Sequence, residues 1–143
     1  MRYGVFTLDG HYAVDKTIPV EIVENTSRCI ATFNVEVWNE TGIDHSAAFA
    51  ALSDNGKLIS RNRMFMPRLG ELKWHKPDVK ISRAGKWAVF SSAVFVWGVC
   101  LDLDGEKYLP DNNFDVWPGM KYQIPWQDDC PLPEILHMGN LVH

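Results

Sequence analysis

Residues 47–66, AAFAALSDNGKLISRNRMFM, carry the clearest structural signal in the chain. Two apolar runs flank Asn55-Gly56, and an Asn-Gly pair in that setting is the strongest short-range indication of a β-hairpin, because both residues accept a positive φ. Asp9-Gly10, which follows the apolar run 3–8, has the same form. A third hairpin is predicted around residues 83–86, between the runs 79–82 and 87–91. The sequence therefore predicts several antiparallel hairpins.

Strand-like patterns continue along most of the chain. Residues 17–23 are rich in branched apolar side chains, and residues 29–38 alternate between apolar and polar positions, as a half-buried strand does. Residues 93–101 form the longest apolar run, and the longest strand is predicted over residues 94–103. No apolar stripe has helical spacing over a useful length. These features predict an all-β fold, an antiparallel β-sandwich.

A change in composition divides the chain. Residues 67–77 begin and end with proline and mix a glycine with several charged side chains. Proline has no N–H to donate to a sheet, so a regular central strand is disfavoured at both ends of this stretch. We place the domain boundary there and predict two domains: residues 1–66, the end of a partial sandwich, and residues 67–143, which are few but within the usual domain range.

Composition limits the classes of partner. Fourteen Lys and Arg against eighteen Asp and Glu give a net charge of −4, which is not the basic excess that neutralises phosphates. No apolar window approaches the roughly 18 residues of a membrane-spanning helix. We therefore expect neither nucleic acid nor a membrane as partner. Glycosylation sequons at Asn25 and Asn39 lean weakly toward an extracytoplasmic location (periplasmic, secreted or lysosomal), and the compartment is otherwise open.

Groups that could perform chemistry are sparse. The histidines show neither H-x-H nor H-E-x-x-H spacing, and the cysteines form no C-x-x-C pair, so no cofactor or metal is expected from them. The cysteines are interpreted as thiols, and one disulfide among them is left open. The residues concerned are His11, His45, His75, His137, His143, Cys29, Cys100 and Cys130.

An acidic cluster, DNNFD at residues 111–115, has two interpretations. Asp and Asn side chains bond nearby backbone groups and so organise tight corners, which makes the cluster a device that fixes a loop. The alternative is a metal site built from Asp111 and Asp115. The first interpretation is preferred.

Six tryptophans are present, and an indole face can stack on the apolar C–H face of a pyranose. Trp97 lies inside the longest apolar run and is predicted to be core. Trp87, Trp117 and Trp126 lie at the start of a strand or beside turns, and they are the candidate carbohydrate-binding residues. The competing interpretation is that these three pack under loops.

Several short motifs between residues 52 and 126 occur together. They are SRN at 60–62, MFMP at 64–67, VFVW at 94–97 with Leu101, and DNNFDVWPG at 111–119. In combination they resemble the C-terminal part of family 2 glycoside hydrolases of the β-mannosidase type. The last motif is similar to the family's SDNxFDLLPGE signature, with Pro110 in place of Ser and Met120 in place of Glu. Residues 1–51 are more loosely similar to the last strands of the preceding sandwich domain.

The resemblance implies a modular glycoside hydrolase of which this chain is a non-catalytic accessory region. Residues 67–143 would be an immunoglobulin-like β-sandwich, and residues 1–66 the last strands of a partial sandwich. The catalytic glutamates of such enzymes lie on a (β/α)8 barrel of about 250 residues. No glutamate here matches a catalytic motif, so no catalytic residue is assigned, and the chain is expected to be inactive alone.

The same resemblance implies the partners: the catalytic barrel and the other domains of the parent glycosidase. A chain that starts within a sandwich would have unpaired strand edges. We therefore expect either a homodimer formed through those edges or a first segment that packs onto the second domain. Two functions from other classes compete with the accessory role. One is a carbohydrate-binding module that uses exposed tryptophans, and the other is a protein-interaction sandwich without a link to sugars.

Overall fold

The structure, a computed structural model, describes residues 1–141, and His143 lies outside the described residues. Within residues 1–141 the chain forms nine strands in antiparallel sheets and one short α-helix, which confirms the predicted all-β sandwich class. The chain divides into two compact units. The first contains Met1–Thr7 and His11–Lys73, and the second contains Leu8–Gly10 and the chain from Trp74 onward. The boundary predicted after residue 66 lies a little before this division.

The first unit contains a four-stranded sheet in the order β2-β1-β3-β4. Asn55 and Gly56 both have positive φ, of 48° and 79°, as the turn between β3 and β4 requires. The predicted hairpins at Asn55-Gly56 and at Asp9-Gly10 are therefore confirmed. The strands are β1 (Arg2–Thr7), β2 (Tyr12–Thr17), β3 (Ser46–Asp54) and β4 (Lys57–Met64).

The strand predicted over residues 29–38 is wrong. Residues 18–34 form no helix or strand, and the helix α1 (Val35–Thr41) follows them. The Asn34 side chain caps this helix by accepting a hydrogen bond from the Glu36 N–H at 3.0 Å. Gly42, with a φ of 96°, ends the helix and donates its N–H to the carbonyls of Trp38 and Asn39. These two capping residues favour a helix over the strand that the alternation of residues 29–38 predicts.

Packing of one indole explains why the helix is retained. Trp38 is buried in a cluster with Val5 and Ala48, and Phe33 and Val14 pack against the same cluster. In the helical conformation Trp38 packs on the sheet, and the alternating side-chain directions of a strand are not needed to bury it. Residues 17–23 also fail to extend the sheet beyond Thr17, where β2 ends, because Pro19 cannot donate to a ladder.

The second unit is a sandwich of two small sheets. One sheet has the order β5-β6-β9 and the other pairs β7 with β8. Side chains from both sheets form one core cluster, including Phe90 and Ile124 from the first sheet and Val96 and Phe114 from the second. The strands are β5 (Lys80–Arg83), β6 (Trp87–Ser91), β7 (Val96–Val99), β8 (Phe114–Val116) and β9 (Tyr122–Pro125). The hairpin predicted around residues 83–86 is confirmed.

The strand predicted over residues 94–103 is shorter than expected, since β7 covers only Val96–Val99, and the longest strand is β3. Its pairing with β8 is irregular between Val96 and Val99. Gly98 lies there with a φ of 60°, and its N–H donates to the Asp115 carboxylate at 3.1 Å. A side chain thus supplies the acceptor that a regular ladder would take from backbone, and the strand bulges.

No helix within residues 1–141 combines the length and the apolar surface that crossing a membrane requires.

Candidate functional site

The predicted carbohydrate-binding tryptophans do not converge on one surface. Trp117 is only 1% exposed and so offers no face to a ligand. Trp87 is 40% exposed at the start of β6, and the next residue, Ala88, points into the core. Because successive side chains of a strand point to opposite faces, Trp87 leaves the sheet on the side away from that core. Trp126 follows β9 and packs against the core cluster.

The other tryptophans have structural places. Trp38 belongs to the core of the first unit. In the second unit Trp74 stacks on Trp97, with ring centroids 5.5 Å apart and an interplanar angle of 17°. Asn140 holds this region by accepting from the Trp97 N–H at 2.7 Å and donating to the Phe95 carbonyl at 2.8 Å. Trp97 is partly exposed rather than fully buried.

Trp126 lines a groove in the second unit with a volume of about 560 Å³. Three segments form its walls: Lys86 in the β5–β6 turn, residues 107–110 in the β7–β8 connection, and residues 125–127 with Cys130 after β9. Most of its surface is apolar. Ligand pockets typically have volumes of about 300–1,000 Å³ and a mostly apolar lining with a few polar groups, and this groove falls in that class. We call it the Trp126 groove.

Hydrogen bonds hold the wall that follows β9. The Trp126 N–H donates to the Lys86 carbonyl at 2.8 Å, which joins the strand end to the β5–β6 turn. The indole N–H of Trp126 donates to the Pro131 carbonyl, also at 2.8 Å, and so fixes the orientation of the ring. The Arg83 guanidinium donates to the carbonyls of Gln127 and Cys130. This wall is therefore organised without a ligand.

A carboxylate holds the wall formed by residues 107–110. Asp102 accepts a hydrogen bond from the Lys107 N–H at 2.7 Å. This backbone hydrogen bond is the main cause that lowers the pKa of Asp102, with smaller contributions from the N–H groups of the same turn. Leu109 packs on the core cluster and anchors the same connection. Tyr108, between Lys107 and Leu109, is fully exposed at 103%.

The acidic cluster at residues 111–115 fixes backbone, as the preferred interpretation predicts. Asn112 accepts from the Leu101 N–H at 2.8 Å and donates to the Asp102 carbonyl at 2.7 Å. Asp111 accepts from the Tyr122 hydroxyl and from the Asn112 N–H. Asp115 accepts from the Gly98 N–H. These bonds connect the segment to β7, to β9 and to the 101–102 turn.

For the alternative metal site, no third His, Cys, Asp or Glu among the described residues joins Asp111 and Asp115 in a group that could hold a metal ion. Within residues 1–141 no group of three or more His, Cys, Asp or Glu side chains is placed to hold a metal ion. The three cysteines are free thiols: Cys29 is exposed, Cys100 is buried and Cys130 lines the Trp126 groove.

Sequence reasoning identified Trp126 but not the residues that surround it. Three lining residues lie on turns far from Trp126 in sequence, namely Lys86, Lys107 and Tyr108. Lys86 comes near Trp126 only because β6 pairs with β9. The available signal was Tyr108 itself. A large aromatic residue that follows the polar turn DGEK is poorly placed for a core and suggests an exposed ring.

The sequence matches no model of a known protein family, and no curated protein matches it.

Proposed function

We propose that this chain is a non-catalytic accessory region of a β-mannosidase-like family 2 glycoside hydrolase, and that it stabilises a catalytic barrel carried elsewhere on the same polypeptide. The observation that supports the proposal is the structural use of residues 111–119, the segment with the clearest family resemblance. Its polar side chains Asp111, Asn112 and Asp115 all bind backbone or a neighbouring tyrosine.

Glycoside hydrolysis needs a proton donor and a second carboxylate on either side of the scissile bond. The carboxylates of this segment are instead engaged by donors from the sandwich itself, namely the N–H groups of Gly98 and Asn112 and the Tyr122 hydroxyl. Hydrogen bonds of this kind hold each side chain in place, which suits a structural role better than proton transfer. In this proposal the segment links the strands through hydrogen bonds and is not a reaction centre.

The experiment compares polypeptides with and without the second unit. A polypeptide that includes the upstream reading frame is assayed with an aryl β-mannoside, and the same polypeptide lacking residues 74–143 is assayed beside it. We expect the shorter form to lose thermal stability and activity, and we expect the isolated chain of 143 residues to show no turnover. Turnover by the isolated chain, an upstream frame that encodes no barrel, or full activity without the second unit would each contradict the proposal.

A second candidate function is a carbohydrate-binding β-sandwich module, and the Trp126 groove is the observation that favours it. In this role Trp126 stacks on a sugar ring, whereas Trp117 is buried and Trp87 lies off the groove. Binding of manno-oligosaccharides at millimolar concentration, measured by fluorescence quenching that Trp126→Phe reduces and Trp87→Phe does not, supports this candidate. Quenching that is the same in both variants argues against it.

The homodimer expected from unpaired strand edges is also part of the proposal. In the first unit β4 is paired with β3 on one side and is the outer strand of its sheet within the described residues. Its sequence, KLISRNRM, carries three cationic side chains and no acidic one. Pairing of two such edges would bring like charges together, so we expect sedimentation to show association that strengthens as salt is raised.

A further inference from the structure

Three asparagines share a backbone conformation that most residues avoid. Asn25, Asn55 and Asn113 have φ values of 57°, 48° and 62°, and within residues 1–141 they are the residues other than glycine with positive φ. Asparagine tolerates this conformation because its short polar side chain can bond locally. All three side chains are exposed. They differ in the residue that follows, which is a glycine only after Asn55.

Gly56 leaves the space beside Asn55 open. Its φ is 79°, and a Cβ atom at this position would have no neighbour within 4 Å. The hairpin pairs Asp54 with Lys57, so the N–H of Gly56 lies in the turn and not in the ladder between β3 and β4. Both turn residues are exposed. The side chain of Asn55 and the backbone of Gly56 therefore face water together.

Asparagines elsewhere in the chain are held by hydrogen bonds to backbone. Asn112 accepts from the Leu101 N–H at 2.8 Å, and Asn140 accepts from the Trp97 N–H at 2.7 Å. A side chain held in this way would have to give up its hydrogen bond before it could react with its own backbone, and that loss costs free energy. Asn55, at the tip of an exposed hairpin, has a different environment.

The chemistry open to Asn55 is attack on its side chain by the backbone nitrogen of Gly56. A bond forms between this nitrogen and Cγ of Asn55, and the bond between Cγ and Nδ2 breaks. The proton lost by the Gly56 N–H leaves with Nδ2 as ammonia. Water then opens the five-membered imide at either of its carbonyls, which gives aspartate or isoaspartate. Glycine favours the first step because it has no Cβ to hinder the attack.

We infer that Asn55 is a modification site, where the folded chain converts spontaneously to aspartate and isoaspartate with water as the co-reactant. Asn25 and Asn113 convert more slowly, because a residue with a Cβ follows each of them. Either product adds a negative charge beside Asp54, in a chain whose net charge is already −4. Isoaspartate also lengthens the backbone of a tight turn by a carbon atom, so it weakens the pairing of β3 with β4.

The test follows the two matched asparagines in the folded chain. Samples are kept in mildly alkaline buffer, where the Gly56 N–H loses its proton more readily, and their peptides are analysed by mass spectrometry over time. We expect conversion at Asn55 to be at least about tenfold faster than at Asn113, because the two share a backbone conformation and differ in the residue that follows. Equal rates would overturn the inference. Conversion of Asn55 only after urea unfolds the chain would also overturn it, because the folded turn would then protect the side chain.

Variants identify the site and its effect on the hairpin. Asn55→Gly removes the amide and leaves Gly-Gly, a pair that suits the same turn, so we expect this variant to form no isoaspartate there. Asn113→Gly is the matched control and should accumulate isoaspartate as the native chain does. The native chain should unfold at a lower temperature after storage, whereas stored Asn55→Gly should not. Isoaspartate formation in Asn55→Gly at the native rate would contradict the inference, and an unchanged unfolding temperature of the converted native chain would contradict the stated effect on β3 and β4.

Discussion

The two units show what a strand-like sequence needs before it becomes a strand. In the second unit, apolar runs from two sheets face each other and share one core, to which Phe90, Val116 and Ile124 belong. In the first unit, residues 18–34 contain comparable apolar runs but form no strand, and Ile22 there is 69% exposed. The difference is the presence of a facing layer, because alternation stabilises a strand only where one face is buried.

The largest effect is expected in the core of the second unit. Phe90 is fully buried, and its ring meets that of Phe114 edge-on with centroids 4.9 Å apart. We expect Phe90→Ala to lower the free energy of unfolding by about 3–5 kcal/mol, through lost burial and the remaining cavity. Urea denaturation measures it, with Leu103→Ala at an exposed position as the control. A loss below about 1 kcal/mol would mean that this core does not carry the stability of the unit.

An intermediate effect is expected where the helix meets the sheet of the first unit. Ser46 accepts from the Trp38 indole N–H at 2.9 Å and donates to the Gly42 carbonyl at 2.6 Å. Ser46→Ala leaves both groups without this partner in a buried place, so we expect a loss of about 1–3 kcal/mol. Thermal unfolding of Ser46→Ala is compared with that of Ser60→Ala, an exposed serine of β4.

Equal losses in the two serine variants would show that the indole hydrogen bond contributes nothing. The double variant Trp38→Phe with Ser46→Ala sharpens the result. The double variant should lose less free energy of unfolding than the sum of the two single variants. The reason is that no buried indole N–H is then left without its hydroxyl acceptor.

A smaller, pH-dependent effect is expected at Asp44 in the first unit. Hydrogen bonds from Lys73, and then from His45, lower the pKa of Asp44 from 3.8 to about 2. A carboxylate with a lowered pKa stabilises the fold above its unfolded-state pKa, and that contribution disappears as pH falls from about 4 toward 2. Acid titration of unfolding should therefore be flatter for Asp44→Asn than for the native chain. Asp54→Asn removes one carboxylate elsewhere in the unit and is the control. An unchanged acid limb in Asp44→Asn would contradict this reading.

The smallest effect is expected in residues 18–34. Ile22→Ser should change the free energy of unfolding by no more than about 0.5 kcal/mol, because most of the side chain is already in water. Ile124→Ser, at a buried position of β9, should cost several times more. Similar losses at the two positions would show that Ile22 is buried in solution, and the contrast between the units would then fail.

Prediction from sequence succeeded where the signal was local. Asn55-Gly56 and Asp9-Gly10 specify turns by their own backbone preferences, and the structure has hairpins at both. Asn34 and Gly42 are equally local signals for a helix, but the alternation of residues 29–38 obscured them. The seven residues of α1 are too few for an apolar stripe to appear, so only the caps could have revealed it.

The candidate site was predictable only in part. Trp126 could be named because it lies between a strand and a proline-rich tail, where an indole has no obvious core position. Its neighbours Lys86 and Tyr108 could not be named, because they reach the groove through strand pairing and through a connection that Asp102 holds. Long-range contacts of this kind leave no spacing in the sequence.

The amino-acid sequence by itself determined the all-β class, the positions of the main turns and the structural use of residues 111–115, since each depends on backbone preference or on bonds to nearby residues. Tertiary structure alone decided which apolar runs became strands, which tryptophans were buried and which side chains share the groove. The physical reason is that a side chain becomes buried only when a second surface packs against the one that carries it. A single segment carries its own conformational preference, but the layer that would cover it comes from elsewhere in the chain.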